Sequence, residues 1–215
     1  IFEDNVEVLD GEIRSESQDI TAELELLKQK FSKIKYLGPL SELAIAQNSP
    51  ASFPVNTPLG SGGEYFYAYY EKNKGKKINV PVPNITESDL KKPANKRSVK
   101  FSIENDISLE VAMNKWLQFF DLADTFETIQ DMQRGDIIAY IRPRNLDRKV
   151  QMTQIGVGFS QLAPIILLTL VSDSGDTILI EQPEEHIHPA GQQRFANFAI
   201  EFAKNNIQMI IETHS

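Results

Sequence analysis

Three carboxylates and two imidazoles fall within eight residues of this chain, in Glu181-Gln182-Pro183-Glu184-Glu185-His186-Ile187-His188. They follow Thr177 to Ile180, a short apolar run that reads as a buried strand. The third imidazole, His214, stands in Glu212-Thr213-His214-Ser215, directly after a second such run, Ile207 to Ile211. Every histidine of the chain therefore belongs to one of two strand ends. Adjacent carboxylates at a sheet edge repel one another unless a proton or a cation lies between them. A divalent ion resolves the conflict, and oxygen donors favour magnesium over zinc. A second reading of the same residues is a metal-dependent hydrolase with Glu181, His186 and His188 as ligands, because His-x-His at a strand end can face one metal. Against it, Pro189 turns the chain within one residue, and His188-Pro189 also suits an ordinary helix start.

Upstream lies Gly156-Val157-Gly158-Phe159-Ser160-Gln161, between an expected strand and an expected helix. Its glycines allow close backbone approach. Ser160 falls near a helix N-terminus, where unpaired N–H groups and the helix dipole attract phosphate. By itself such a turn is common.

The elements that must position these residues are most regular in the last third. Phe159 to Val171 reads as a buried helix, and Ser174-Gly175-Asp176 as the turn into the strand that ends at Ile180. A helix from Pro189 buries Phe195, Phe198 and Phe202 and stops near Asn205-Asn206. Strand, helix and strand with continuous apolar strands predict a parallel sheet covered on both faces, whose ligands gather at the carboxyl ends of the strands. Earlier, Phe2 to Leu9 and the pair Asp136–Ile141 and Lys149–Ile155 read as strands, the pair joined by a polar hairpin. Ile20 to Phe31, with Leu24, Leu27 and Phe31 at helical spacing, reads as a helix. So does Leu109 to Leu122, with Leu109, Ala112, Met113, Trp116 and Phe120 facing the core. Residues 49–93 are rich in Pro, Gly, Asn and Lys and read as irregular, with little core of their own beyond an aromatic segment at Gly63–Tyr70.

The charge is uneven. Residues 72–100 carry nine bases against Glu87 and Asp89, inside a chain of net charge −8. A basic stretch in an acidic protein can track phosphates, although most are solvated loops. Without cysteine there are no disulfides, thiolate zinc sites or cysteine nucleophiles, which fits a cytoplasmic protein. The longest apolar run, Leu162 to Val171, is about half a membrane span and is broken by Pro164 and Thr169. Ile1 in place of an initiator Met gives the expectation of a piece of a longer polypeptide.

In order and spacing, the glycine turn at 156–161, Ile178 to Glu184, His186 to Pro189 and Glu212 to Ser215 resemble the C-terminal half of an ABC-class ATPase head. The branch is that of the OLD-like and RecF/SMC-like AAA ATPases, some of them linked to DNA repair and phage defence. Tyr36-Leu37-Gly38-Pro39-Leu40 and Gly60-Ser61-Gly62-Gly63-Glu64 resemble further landmarks of that group, less specifically. The resemblance implies an α/β, P-loop NTPase-like fold with a mostly parallel sheet and helices on both faces, plus the irregular insertion. It divides the chain into a strand and helix of the head (1–48), the insertion (49–100), a helix and hairpin (101–150) and the ATPase core (151–215).

The resemblance also implies roles. Glu181 matches the Walker B acid that holds the water shell of magnesium. Gln182 stands where most relatives carry the glutamate that polarises the attacking water, so either Gln182 orients that water or Glu184 acts as the base. His186 and His188 occupy the D-loop, and His214 matches the switch histidine at the γ-phosphate. Gly156, Gly158, Ser160 and Gln161 match the signature motif that closes on the nucleotide of an opposite subunit. The implied cofactors are ATP and Mg²⁺, and the implied partner is a second copy held through an ATP sandwich. An effector protein, or DNA along Lys72–Lys100, is a candidate further partner; no membrane is implied. No Gly-x-x-x-x-Gly-Lys-Ser/Thr occurs in these residues, so the phosphate loop is expected upstream of Ile1. Gln182 and His188 leave open a degenerate scaffold that binds ATP without cleaving it.

Overall fold

The computed structural model describes residues 20–39, 52–90, 92, 99–131, 136–144, 146–151, 157–185 and 187–214. The strand expected at Phe2–Leu9 lies outside them, as do Gly156, His186 and Ser215. Helix α1 (20–32) leads into β1 (Ile34–Leu37), and α2 (Phe66–Asn73) into β2 (Lys77–Asn84). The short α3 (Glu87–Leu90), β3 (Lys100–Ser108) and α4 (Leu109–Phe120) come next. Then follow β4 (Thr125–Gln130), β5 (Ile137–Arg142) and β6 (Val150–Gln151). The chain continues through α5 (Val157–Leu170), β7 (Thr177–Glu181), α6 (Pro189–Ala203) and β8 (Gln208–Glu212).

Among the described residues the strands form three sheets. Strands β1, β7 and β8 form a parallel sheet in the order β1-β7-β8; β2 pairs with β3, and β4-β5-β6 form an antiparallel meander. This is the expected α/β architecture with a parallel sheet at its centre. The core is continuous: Leu37, Ile178 and Ile180 from the parallel sheet join Trp116, Leu117, Phe198, Phe202 and the length of α5. Trp116 is fully buried, with its ring 4.8 Å from Phe198 and 5.6 Å from Phe202, and its indole N–H donates to Pro81 O at 3.0 Å. One side chain therefore ties α4 to α6 and to β2.

Local signals account for the element ends. The Ser108 hydroxyl caps α4 by accepting from Val111 N, and Asp121 closes it in the left-handed conformation at φ 66°. Gly175 turns into β7 at φ +90°, a conformation that costs a side chain dearly. Pro164 within α5 has no N–H for the carbonyl of Ser160 four residues back, which loosens the first turn of that helix.

The insertion and the exposure of α1 differ from expectation. The aromatic segment expected at Gly63–Tyr70 forms α2 and buries Phe66, Tyr67, Ala68 and Tyr70, but the stretch after it is not irregular: β2 buries Val80 and Val82. Its Pro-rich composition reads as a loop, yet a two-stranded ribbon is all edge, where proline is tolerated at 81 and 83. Strand β3 has a period-two signal in Phe101, Ile103 and Ile107, masked by the charges between them. Among the described residues one face of the parallel sheet is buried against the core. The other face carries Tyr36, Leu179 and Glu181 half-buried and Gln208, Ile210 and Glu212 exposed. Helix α1 is a helix as expected, but Leu24, Leu27 and Phe31 are exposed.

Candidate functional site

Parallel pairing in register sets Glu181 beside Glu212 at the carboxyl ends of β7 and β8. Two carboxylates at adjacent strand ends define an anionic edge, and the chain supplies one donor to it from a distance. The Tyr36 hydroxyl donates to Glu181 Oε1 at 2.7 Å. That hydrogen bond, then burial and the charges of Glu181 and Glu212, raise the Tyr36 pKa above its ordinary value.

Past Glu181 the backbone turns sharply. Gln182 adopts φ 46°, its N–H donates to Glu212 O at 2.9 Å, and its carbonyl accepts from the Gln161 side-chain amide at 3.0 Å. Gln161 is buried at 3% exposure. Expected to meet a partner's nucleotide, it instead has its amide committed within its own chain, bracing α5 against the loop after β7. Burial follows from its place on the helix, one turn into an apolar stretch.

Glu184 joins the two strand ends. Its Oε1 accepts from Thr213 Oγ1 at 2.6 Å and from His214 N at 2.9 Å. These bonds, the Thr213 hydroxyl first, hold the Glu184 carboxyl below its usual pKa against the opposing effect of burial. Its Oε2 is buried without a hydrogen-bond partner among the described residues. Beside it lies a mostly apolar hollow of about 230 Å³, lined by Ile187, Phe195 and Ile211 together with Gln192 and Thr213. Through its bonded oxygen Glu184 bridges the loops after β7 and β8. The His214 side chain is exposed, 3.8 Å from Glu212 Oε1.

On the flank, His188 caps α6: its Nδ1 accepts from Ala190 N at 3.2 Å. Gly158 and Ser160 fall in the first turn of α5, half-buried. A cavity of about 400 Å³ lies between them, lined by Gly158, Leu162, His188, Gly191 and Arg194 together with the end of α4. The starts of α5 and α6, and with them the glycine turn and the second imidazole, thus border one opening.

Among the described residues no three His, Asp or Glu side chains come together as metal ligands. Of the residues named for a hydrolase, Glu181 accepts from Tyr36 and His188 accepts from the start of its own helix, while His186 lies outside the described residues. The edge does suit magnesium, which takes one or two carboxylates and keeps its remaining places for water and phosphate oxygens. The basic stretch is only partly free. Lys74 pairs with Glu71 at 2.8 Å, Lys92 with Asp89 at 2.9 Å, and Lys77 donates to Asp106 O at 3.1 Å. No described helix is long and apolar enough to cross a membrane.

Sequence reasoning quoted Tyr36 without a role and missed the bond it makes. Its signal, an aromatic residue two positions before Gly38 on a short apolar run, shows no partner until β1 is paired with β7.

Residues 61–215, more than two thirds of the chain, match the AAA ATPase domain family, and no curated protein matches it. The chain belongs to the AAA ATPase domain family, whose general activity is ATP binding and hydrolysis.

Proposed function

We propose that this chain is the C-terminal part of the head of an ABC-class ATPase of the OLD-like or RecF/SMC-like branch, in which two copies close around Mg-ATP and hydrolysis opens them. The observation that carries the reading is the gathering of Glu181, Gln182, Glu184 and the 213–214 loop at the carboxyl ends of two adjacent parallel strands, where α/β folds hold their ligands.

Within that site Glu181 is the residue that would hold the water shell of magnesium. A magnesium ion held there would supply positive charge to offset the charge that develops on the transferred phosphate. Gln182, fixed by backbone bonds on both sides, orients the attacking water without accepting its proton. Glu184 sets the 213–214 loop so that His214 reaches the γ-phosphate. Gly156, Gly158 and Ser160, with His186 and His188, form the edge offered to the second copy, and the opening between α5 and α6 supports this. The lysines of 72–100 remain the candidate contact for DNA or an effector protein, in the cytoplasm, in a repair or phage-defence setting.

The test is steady-state ATP hydrolysis by the full-length protein with and without magnesium, alongside light scattering to count subunits. Glu181→Ala is expected to abolish magnesium-dependent turnover, and ATP to drive dimer formation in the wild type. Unchanged turnover in Glu181→Ala removes the Walker B assignment. A wild-type dimer that binds ATP and never cleaves it means a scaffold instead.

A further inference from the structure

We infer that Tyr36 is a positioning residue for the metal-facing carboxylate, and that Gly38 exists to make room for it; this rests on Glu181 holding magnesium. The Tyr36 hydroxyl is 2.7 Å from Glu181 Oε1, across 145 residues of sequence. Tyr36 pairs in register with Leu179, so its ring shares the more open sheet face with Glu181 two residues further along β7. Glu212 lies beside Glu181 on the same edge. Of the two carboxylates, Glu181 alone is given a hydroxyl donor by the described hydrogen bonds, so one is pinned and its neighbour is left to solvent. A pinned Oε1 leaves Glu181 a defined orientation in which to meet a cation. Carboxylate ligands are commonly held this way, and loss of such an outer partner weakens metal binding about 10–100-fold.

Gly38 supplies the second half of the device. A methyl group at Gly38 would lie 2.7 Å from the Tyr36 hydroxyl oxygen and 3.1 Å from Ser61 O. The hydroxyl is the free end of a side chain, so it is the atom that must move, and moving it breaks the bond to Glu181. Gly38 lies outside the left-handed region, which means that an alanine there is objectionable for this contact and not for its backbone. Gly38 N also donates to Ser61 O at 2.8 Å, which anchors the Gly60–Gly63 loop to the same point. The two landmarks at 36–40 and 60–64 thereby acquire one structural purpose: they hold the hydroxyl over Glu181.

The experiment measures the affinity of full-length protein for a fluorescent ATP analogue as magnesium is titrated, with thermal midpoints taken in parallel. Tyr36→Phe is expected to raise the magnesium needed for half-maximal tightening about tenfold, while metal-free nucleotide affinity stays within about twofold. Gly38→Ala should reproduce that shift, and the double variant should add little to either, because all three lose one bond. Glu181→Ala is run beside them. If Glu181→Ala removes the magnesium effect and Tyr36→Phe leaves it unmoved in a folded protein, the inference about Tyr36 is wrong while the site assignment stands. If Glu181→Ala leaves the magnesium effect intact, the site assignment itself has failed, and the Tyr36 inference with it. A fall in metal-free affinity and thermal midpoint with no change in magnesium response would mean that Tyr36 merely packs.

Discussion

Replacing Glu184 by glutamine and by alanine separates two chemistries that share one carboxylate. The structure gives Glu184 two hydrogen bonds across the loops, from Thr213 Oγ1 and His214 N. Each bond to a charged group is worth about 1.5–3 kcal/mol when shielded, but this edge is open to water, so about 1 kcal/mol apiece is the working figure. Alanine removes both, about 2 kcal/mol of loop positioning, which corresponds to a roughly thirtyfold slower turnover. Glutamine keeps an acceptor oxygen of the same reach and loses only the charge, so its expected effect is within about tenfold. A general base behaves otherwise: glutamine cannot take a proton, and its loss costs about 10²–10⁴-fold. The assay is single-turnover ATP hydrolysis at saturating ATP and magnesium, with nucleotide affinity measured separately. The expected order is wild type, then Glu184→Gln close behind, then Glu184→Ala. If Glu184→Gln falls more than about a hundredfold with affinity intact, Glu184 takes the proton and the bridging role argued from its bonds is wrong.

The same carboxylate makes stability depend on pH. Its folded pKa lies below the unfolded value of 4.5, so its contribution is full above pH 4.5 and is lost as pH falls through the folded value; the difference in thermal midpoint between wild type and Glu184→Gln should therefore close over that acid range. A gap that persists to the acid limit would mean that the charge is not what stabilises the loops. Ser160→Arg, in the first turn of α5, is expected to leave nucleotide binding by the monomer intact and to prevent ATP-induced dimers in light scattering; dimers that still form would remove the signature assignment. Trp116→Ala, at a fully buried ring, should cost about 3–5 kcal/mol in chemical denaturation. Trp116→Phe should cost less but measurably, because Pro81 O loses its indole donor; a neutral Trp116→Ala would contradict the packing described.

The chain of amino acids by itself determined the run from the glycine turn to the 212–214 segment, because each step there is local. Apolar periodicity marks α5 and α6, a continuous apolar run marks β7, Pro189 marks a helix start, and the charged residues sit where the periodicity stops. Leu109 to Phe120 was legible for the same reason: its buried stripe repeats with the helix. What no local pattern carries is the identity of partners. Residues 77–84 look like a loop because proline, asparagine and lysine are judged one window at a time, yet Val80 and Val82 are buried once β2 has β3 beside it. Tyr36 looks like one more apolar strand residue until β1 lies parallel to β7 and its hydroxyl arrives at Glu181. Gln161 reads as a ligand-facing polar residue until burial commits its amide to Gln182 O, and nothing local to Glu184 shows that Thr213 and His214 will bond to it. Local chemistry decides what a residue can do. Only the pairing of strands and loops far apart in the chain decides which of those abilities is left free, because a hydrogen bond spent on a distant partner is no longer available to substrate.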